Sequence, residues 1–282
     1  MYDRRQSQRT IQLSKLLFDK SANYYYLGII IEILVGIISI IFSINTPKDK
    51  ILLLVMILNV LFLLISYFLK IKSEEFYDIA ETIRRQTVFS ESLDWNISKL
   101  LISNWQSKAG TKLVKKYKES ELDPDYYSSI RKIGEGRLAE ITLESAFYTR
   151  HLYIRHKKIL VLFSIILLIA IIIILSISPL IFIPGPMYII ILKVIYMIIP
   201  IYLGINIINW CLRLSRLISE MYSLEVELET IYKSDELNLE NVLRLVSEYN
   251  CLVVSGIPVH KIMFNLFYRE ISDLWDERKN FK

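Results

Sequence analysis

Apolar side chains along this chain gather into four long runs: Leu27–Ile44, Ile51–Leu69, Ile159–Ser178 and Met187–Trp210. Each is long enough to cross a hydrocarbon layer of about 30 Å as a helix. Ile51–Leu69 carries no charge, and Asn59 and Ser66 are its only clearly polar members. Ile159–Ser178 is interrupted by serines alone, whereas Glu32 and Lys193 fall inside the first and fourth runs. A transmembrane barrel would need apolar and polar residues to alternate, and these runs do not. The pattern predicts four transmembrane helices in two hairpins, joined by Asn45–Lys50 and Pro179–Pro186.

The polar remainder also has helical periods. Leu93, Ile97, Leu101 and Trp105 recur every four residues, which predicts one apolar helix face. Asp123-Pro124-Asp125, Gly134-Glu135-Gly136, Asp235–Asn238 and Gly256-Ile257-Pro258 are breaks, and the third of these is placed to cap a helix. A helix is expected from near Leu138 directly into the third run, and the fourth run is expected to continue past Arg216 towards Tyr232. A last helix carries Val259, Ile262, Leu266, Ile271, Leu274 and Trp275. The fold class expected is therefore an all-α membrane protein with a helical cytoplasmic domain. The order is an N-terminal segment 1–26, a hairpin 27–69, a helical region 70–158, a second hairpin 159–210 and a helical tail 211–282. The middle loop and the tail are expected to pack together.

Composition and charge add a compartment. Hydrophobic residues are 53% of the 282, charged residues 22%, and the net charge is +5. The apolar excess is modest, but its concentration in the four runs excludes an ordinary soluble enzyme, a disulfide scaffold and a disordered chain. Arg4, Arg5, Arg9, Lys15 and Lys20 precede the first run without a cleavage-like pattern after it, so that run reads as a retained span. Lys70 and Lys72, then Arg155, Lys157 and Lys158, then Arg213 and Arg216 flank the runs on one side. The positive-inside rule then places both termini and the middle loop in the cytoplasm of a multi-pass membrane protein. Tyr24, Tyr25, Tyr26, Tyr67, Phe68 and Trp210 suit the headgroup borders. Cys211 and Cys251 would share a reducing compartment, so no structural disulfide is expected. His151, His156 and His260 have no ligand spacing with either cysteine, so no metal site is expected.

Candidate chemistry is sparse. No Gly-x-Gly-x-x-Gly element, Walker-type loop or Cys-x-x-Cys pair occurs, and no catalytic constellation is read, so an enzyme is not expected. Gly28, Glu32, Gly36, Ser39 and Ser43 share one helix face. A carboxylate in such a run is costly, and two readings stay open: a polar lining, or a packed interface made close by the glycines. Tyr202, Asn206, Asn209, Arg213 and Arg216 form a second stripe, and Asn59 and Ser66 share a face between them. Pro200 predicts a kink, because it lacks an amide hydrogen and crowds the preceding turn. Lys112, Lys115, Lys116 and Lys118 would attract phosphates or anionic lipid, or simply form a solvated face. Arg150, Arg155, Arg213 and Arg216 are further candidates for anionic contacts.

Several stretches together carry a family likeness. They are Arg137-Leu138-Ala139-Glu140-Ile141, Glu144-Ser145-Ala146-Phe147-Tyr148, Leu152–Lys158, Gly256-Ile257-Pro258-Val259 and Phe264–Arg269, with Gln8–Tyr25 and Asp94-Trp95-Asn96. In this order they resemble the SMODS-associating four-transmembrane effector family of bacteria, described as pore-forming effectors. The resemblance implies a role in antiphage defence, with damage to the inner membrane. It implies a functional link to a nucleotidyltransferase and a cyclic nucleotide as activating ligand, with no other cofactor. A conducting path would form in a homo-oligomer in the lipid bilayer, because four helices close-pack around their own side chains. No DNA or RNA partner is expected. This chain has Thr142-Leu143-Glu144-Ser145 where the family often has a Cys-Gln-Arg-Ser-like stretch, and Phe147-Tyr148 in place of paired tryptophans. Two rival readings stand beside it: a non-conducting membrane receptor or scaffold with a helical binding module, and a small-molecule or ion transporter.

Overall fold

A computed structural model describes residues 4–44, 49–119, 127–181, 187–233 and 237–280. Side chains are described at 8–39, 41–42, 51, 53–119, 127–166, 169, 206–233 and 237–279. Within these residues the fold is all-α, with eight helices: α1 (Arg4–Ile44), α2 (Asp49–Leu93), α3 (Lys99–Ala109), α4 (Thr111–Glu119), α5 (Glu135–Ile181), α6 (Met187–Lys233), α7 (Leu239–Val254) and α8 (Lys261–Asn280).

Local chemistry sets several ends. Asp94 takes a φ of 59° and stops α2 after Leu93. The Ser98 hydroxyl then accepts from the Leu101 amide at 3.2 Å and starts α3. The single helix face expected through Leu93, Ile97, Leu101 and Trp105 is thus broken in two. Ile97 and Trp105 are buried, and Leu101 is exposed. Gly134, at φ 147°, precedes α5, which starts at Glu135 and runs without a break to Ile181. The Asn238 side chain accepts from the Asn241 amide at 2.8 Å and caps α7. Asp123-Pro124-Asp125 lies outside the described residues.

The chain divides into two compact units. One is built from 1–23, 73–154 and 216–282, the other from 24–72 and 155–215. In the first, Tyr77, Leu143, Phe147, Met221, Leu228, Leu245, Tyr249, Ile271 and Trp275 form a core drawn from five helices. A second cluster joins Leu13 and Leu17 of α1 to Ala80, Ile83, Trp105 and Tyr117. A third joins Val88 to Leu138, Ile141, Val242 and Val246. In α8, Ile271 and Trp275 face this core, while Ile262 and Leu266, expected to be apolar packing positions, are exposed.

In the other unit, α1 and α2 meet through small and polar groups. The Ser66 hydroxyl donates to the Gly28 carbonyl at 3.0 Å, and the Asn59 amide donates to the Ser39 hydroxyl at 3.2 Å. A Cβ added at Gly28 would sit 3.2 Å from the Ser66 carbonyl oxygen, so glycine is what permits this approach. Trp210 packs near Tyr25 and Lys70.

The expectation of four transmembrane helices in two hairpins is corrected. Among the described residues two helices are long and apolar enough to cross a membrane, Gln8–Ser39 and Leu53–Leu93. Apolar length is necessary for a span but does not define one, since a buried core helix meets the same test. Both candidates run far beyond the apolar stretch into turns that build a protein core, and in the first 28% of the apolar window is itself buried. The side chains of the expected third and fourth spans lie largely outside the described residues. The multi-pass inner-membrane assignment with cytoplasmic termini falls with the four spans, because it rested on the flanks of three of them. No pore-like architecture is present among the described residues, so the pore-forming description is corrected as well.

Candidate functional site

The feature best suited to binding is a cationic face on α4. Leu113, Val114 and Tyr117 of α4 turn towards the α1–α2–α3 cluster. The same 3.6-residue turn then leaves Lys112, Lys115, Lys116 and Lys118 exposed on the opposite side. Lys99 and Lys108 of α3 are exposed too. None of these lysines has a carboxylate partner among the described residues. Some exposed cations elsewhere do, as Arg216 meets Glu220 at 2.8 Å and Lys233 meets Glu229 at 2.7 Å, while Lys132, Lys158, Arg213 and Arg269 stand singly without one among the described residues. Leu100 adds an apolar side chain that is 80% exposed.

Buried charge elsewhere gathers into two paired nodes. Glu225, on the core side of α6, accepts from Arg150 at 2.6 and 3.1 Å and from Arg278 at 2.7 Å. Arg278 also reaches Glu229 at 2.7 Å, which clips α8 to α6. Hydrogen bonds from Lys233 and Arg278 hold the Glu229 carboxyl below its ordinary range. Arg150 and Arg278 lie near the Phe147 ring. A second node joins Arg84 to Glu81 at 2.8 Å and to the Asn250 carbonyl oxygen at 2.8 Å. Burial raises the Tyr153 and Tyr249 hydroxyls above their ordinary range, so both rings stay neutral. These groups pair with one another and hold helices together. Periodicity hints at the first node alone: Glu225 falls four residues after Met221 and three before Leu228, within the buried stripe of α6. A glutamate in such a stripe demands a cation.

The first polar stripe is brought together with α2. Glu32 accepts from Lys70 at 2.6 Å and from Ser66 at 2.9 Å, Gly36 is buried, and Ser39 bonds Asn59. Asn206 is half-buried and Asn209 exposed, with no hydrogen bond from Asn59 to either among the described residues. The side chains of Pro200 and Tyr202 lie outside the described set. Arg213 is exposed, Arg155 is half-buried, and Arg216 pairs along its own helix. Arg150 is committed to Glu225 and not to an outside anion. His156 is buried, 3.3 Å from the Tyr26 hydroxyl, and burial lowers its pKa to about 4.

A cleft of 660 Å³ lies between α6 and α7, with Glu220, Glu227 and Glu248 in its wall. Arg244 pairs there with Glu227 and, at 2.7 Å, with Glu248. Cys251 lines it, and both Cys211 and Cys251 are free thiols. No group of three or more His, Cys, Asp or Glu among the described residues is placed to hold a metal ion.

No protein-family model matches this chain, and it matches no curated protein and no solved structure. The resemblance to the four-transmembrane effector family gains no support from these comparisons.

Proposed function

We propose that this protein is a non-conducting receptor or scaffold whose helical unit binds an acidic partner protein. The observation that supports the reading is the lysine face of α4, left without carboxylates among the described residues. Lys112 and Lys116 are four apart, and Lys112–Lys115 and Lys115–Lys118 three apart. Each such like-charge pair costs about 0.2–0.5 kcal/mol on a helix. A partner bearing carboxylates removes that repulsion and speeds encounter. Leu100, exposed beside Lys99, offers the apolar contact that a protein partner covers and a hydrated anion does not. The outward side chains Leu53, Leu54, Leu61 and Phe62 of α2 would seat the α1–α2 pair against lipid.

The test uses the full chain with a glutamate-rich peptide as probe. Binding is expected to weaken steeply with salt and to fall about tenfold or more in the K112E/K115E/K116E variant. Reconstituted in vesicles, the same protein should hold an ion gradient whether or not the peptide is present. Steady ion release would overturn the non-conducting reading. Lysine-dependent binding to anionic vesicles, without binding to the peptide, would replace the acidic protein by lipid.

A further inference from the structure

Next to the acidic cleft, and sharing Ser247 with it, a cavity of 370 Å³ lies between α2 and α7. Small-ligand sites span about 300–1,000 Å³. Thr82, Arg85, Gln86 and Phe89 line it from α2, and Leu243, Ser247 and Asn250 from α7. No carboxylate is among these residues.

The hydrogen-bond accounting shows what the cavity offers. Arg84 is committed to Glu81 and Asn250 through its Nε and Nη2 and lies over the Tyr249 ring, 4.9 Å from its centre. Its neighbour Arg85 has no carboxylate partner among the described residues. Arg85 makes two long contacts, each 3.4 Å, to the Glu81 carbonyl and the Thr82 hydroxyl. A guanidinium so held keeps most of its N–H donors unspent. Asn250 adds to this. Its carbonyl oxygen is committed to Arg84 at 2.8 Å, which leaves the amide hydrogens as its contribution to the cavity. The Gln86 and Ser247 side chains make no hydrogen bond to other described residues. Thr82 donates its proton to the Asp78 carbonyl at 2.8 Å and so presents lone pairs only. Phe89, whose ring lies 5.1 Å from that of Trp95, and Leu243 give the cavity an apolar wall.

We infer that this cavity binds a small organic oxyanion, with its carboxylate or phosphate group on Arg85 and Asn250 and a ring or short hydrocarbon against Phe89 and Leu243. Charge-assisted hydrogen bonds to a guanidinium are the strong ones, and here they are made without displacing an ion pair. The adjoining cleft carries Glu220, Glu227 and Glu248 against the single Arg244, so its net negative charge favours the anion on the Arg85 side. The inference is independent of the lysine face and of what that face binds.

Calorimetric titration of the full chain with benzoate, phenyl phosphate, inorganic phosphate and benzyl alcohol tests it. Benzoate or phenyl phosphate should bind saturably, and which of them binds tighter assigns the head group. Benzyl alcohol should not bind. Arg85→Gln should weaken the anion about tenfold or more while melting like the parent, since the side chain holds no short contact. Ser247→Glu, which places a carboxylate on the wall shared by the cavity and the cleft, should weaken binding about tenfold or more and serves if Arg85→Gln fails to fold. Unchanged affinity in a folded Arg85→Gln or Ser247→Glu variant, or no saturable binding of either aromatic anion, would overturn the inference. Equal affinity for inorganic and phenyl phosphate would remove its ring-binding half.

Discussion

Gly256 sits directly against the phenolic hydroxyl of Tyr153, so that a Cβ at position 256 would overlap that oxygen. The contact brings the turn after α7 onto α5. Gly256 donates to the Val253 carbonyl at 2.8 Å, and Tyr77 donates to the same carbonyl at 2.9 Å. Gly256→Ala is therefore expected to cost about 1–3 kcal/mol through overpacking. Tyr153→Phe removes the overlapping oxygen and should recover part of that loss. A double-mutant cycle in urea measures the coupling. Strictly additive losses would mean that the two residues do not meet.

Glu225 is the second point of stress. Its carboxylate is buried between Arg150 and Arg278. Glu225→Ala leaves two cations without their shared partner and should cost about 3–5 kcal/mol. Arg278→Ala should cost less, because Arg150 remains on Glu225. Chemical denaturation of the three proteins gives the ranking, and a larger loss in Arg278→Ala than in Glu225→Ala would contradict the shared-partner geometry.

His156 makes stability depend on pH. Unfolded, it titrates near the ordinary value of about 6.5; folded, burial holds it to about 4. Between these values the unfolded chain binds more protons, so stability is full above the upper pKa. It falls as pH drops towards the lower one, by about 1.4 kcal/mol per unit. Below about pH 4 this contribution levels off. Melting measured from pH 7 to pH 4 should show a shallower slope in His156→Gln than in the parent. Parallel slopes would remove His156 as the cause.

Glu32 and Lys70 form a pair 2.6 Å apart, with Ser66 on the same carboxylate. Lys70→Met should destabilise more than the double change Glu32→Gln with Lys70→Met, because only the single variant strands a half-buried charge. Thermal melting in detergent compares them. If the single variant melts no lower than the double, the ion pair contributes nothing to holding α1 on α2.

Much of the helix inventory was legible. Gly134 before α5, Asn238 before α7 and the Gly256–Pro258 break act within a few residues, so local rules reach them. The α3 face was not, because a period of four through Leu93–Trp105 cannot see the left-handed turn at Asp94. The lysines of α4 were visible as a charge run. Their lack of carboxylate partners depends on which acids the fold brings near. The cavity at Arg85 was invisible, because its donors come from residues 82–89 and 243–250, which share no local pattern.

By itself the sequence determined that the chain is helical, where several helices start and stop, and where its apolar side chains concentrate. Those are properties of neighbours one to four positions apart, and hydrogen bonding within a helix depends on little else. The tertiary structure decided which apolar runs become core, which charges are paired and which stay open. Glu225 finds Arg150 at a separation of 75 residues and Arg278 at 53. Burial and charge pairing are set by what lies across the gap, and no local period contains that.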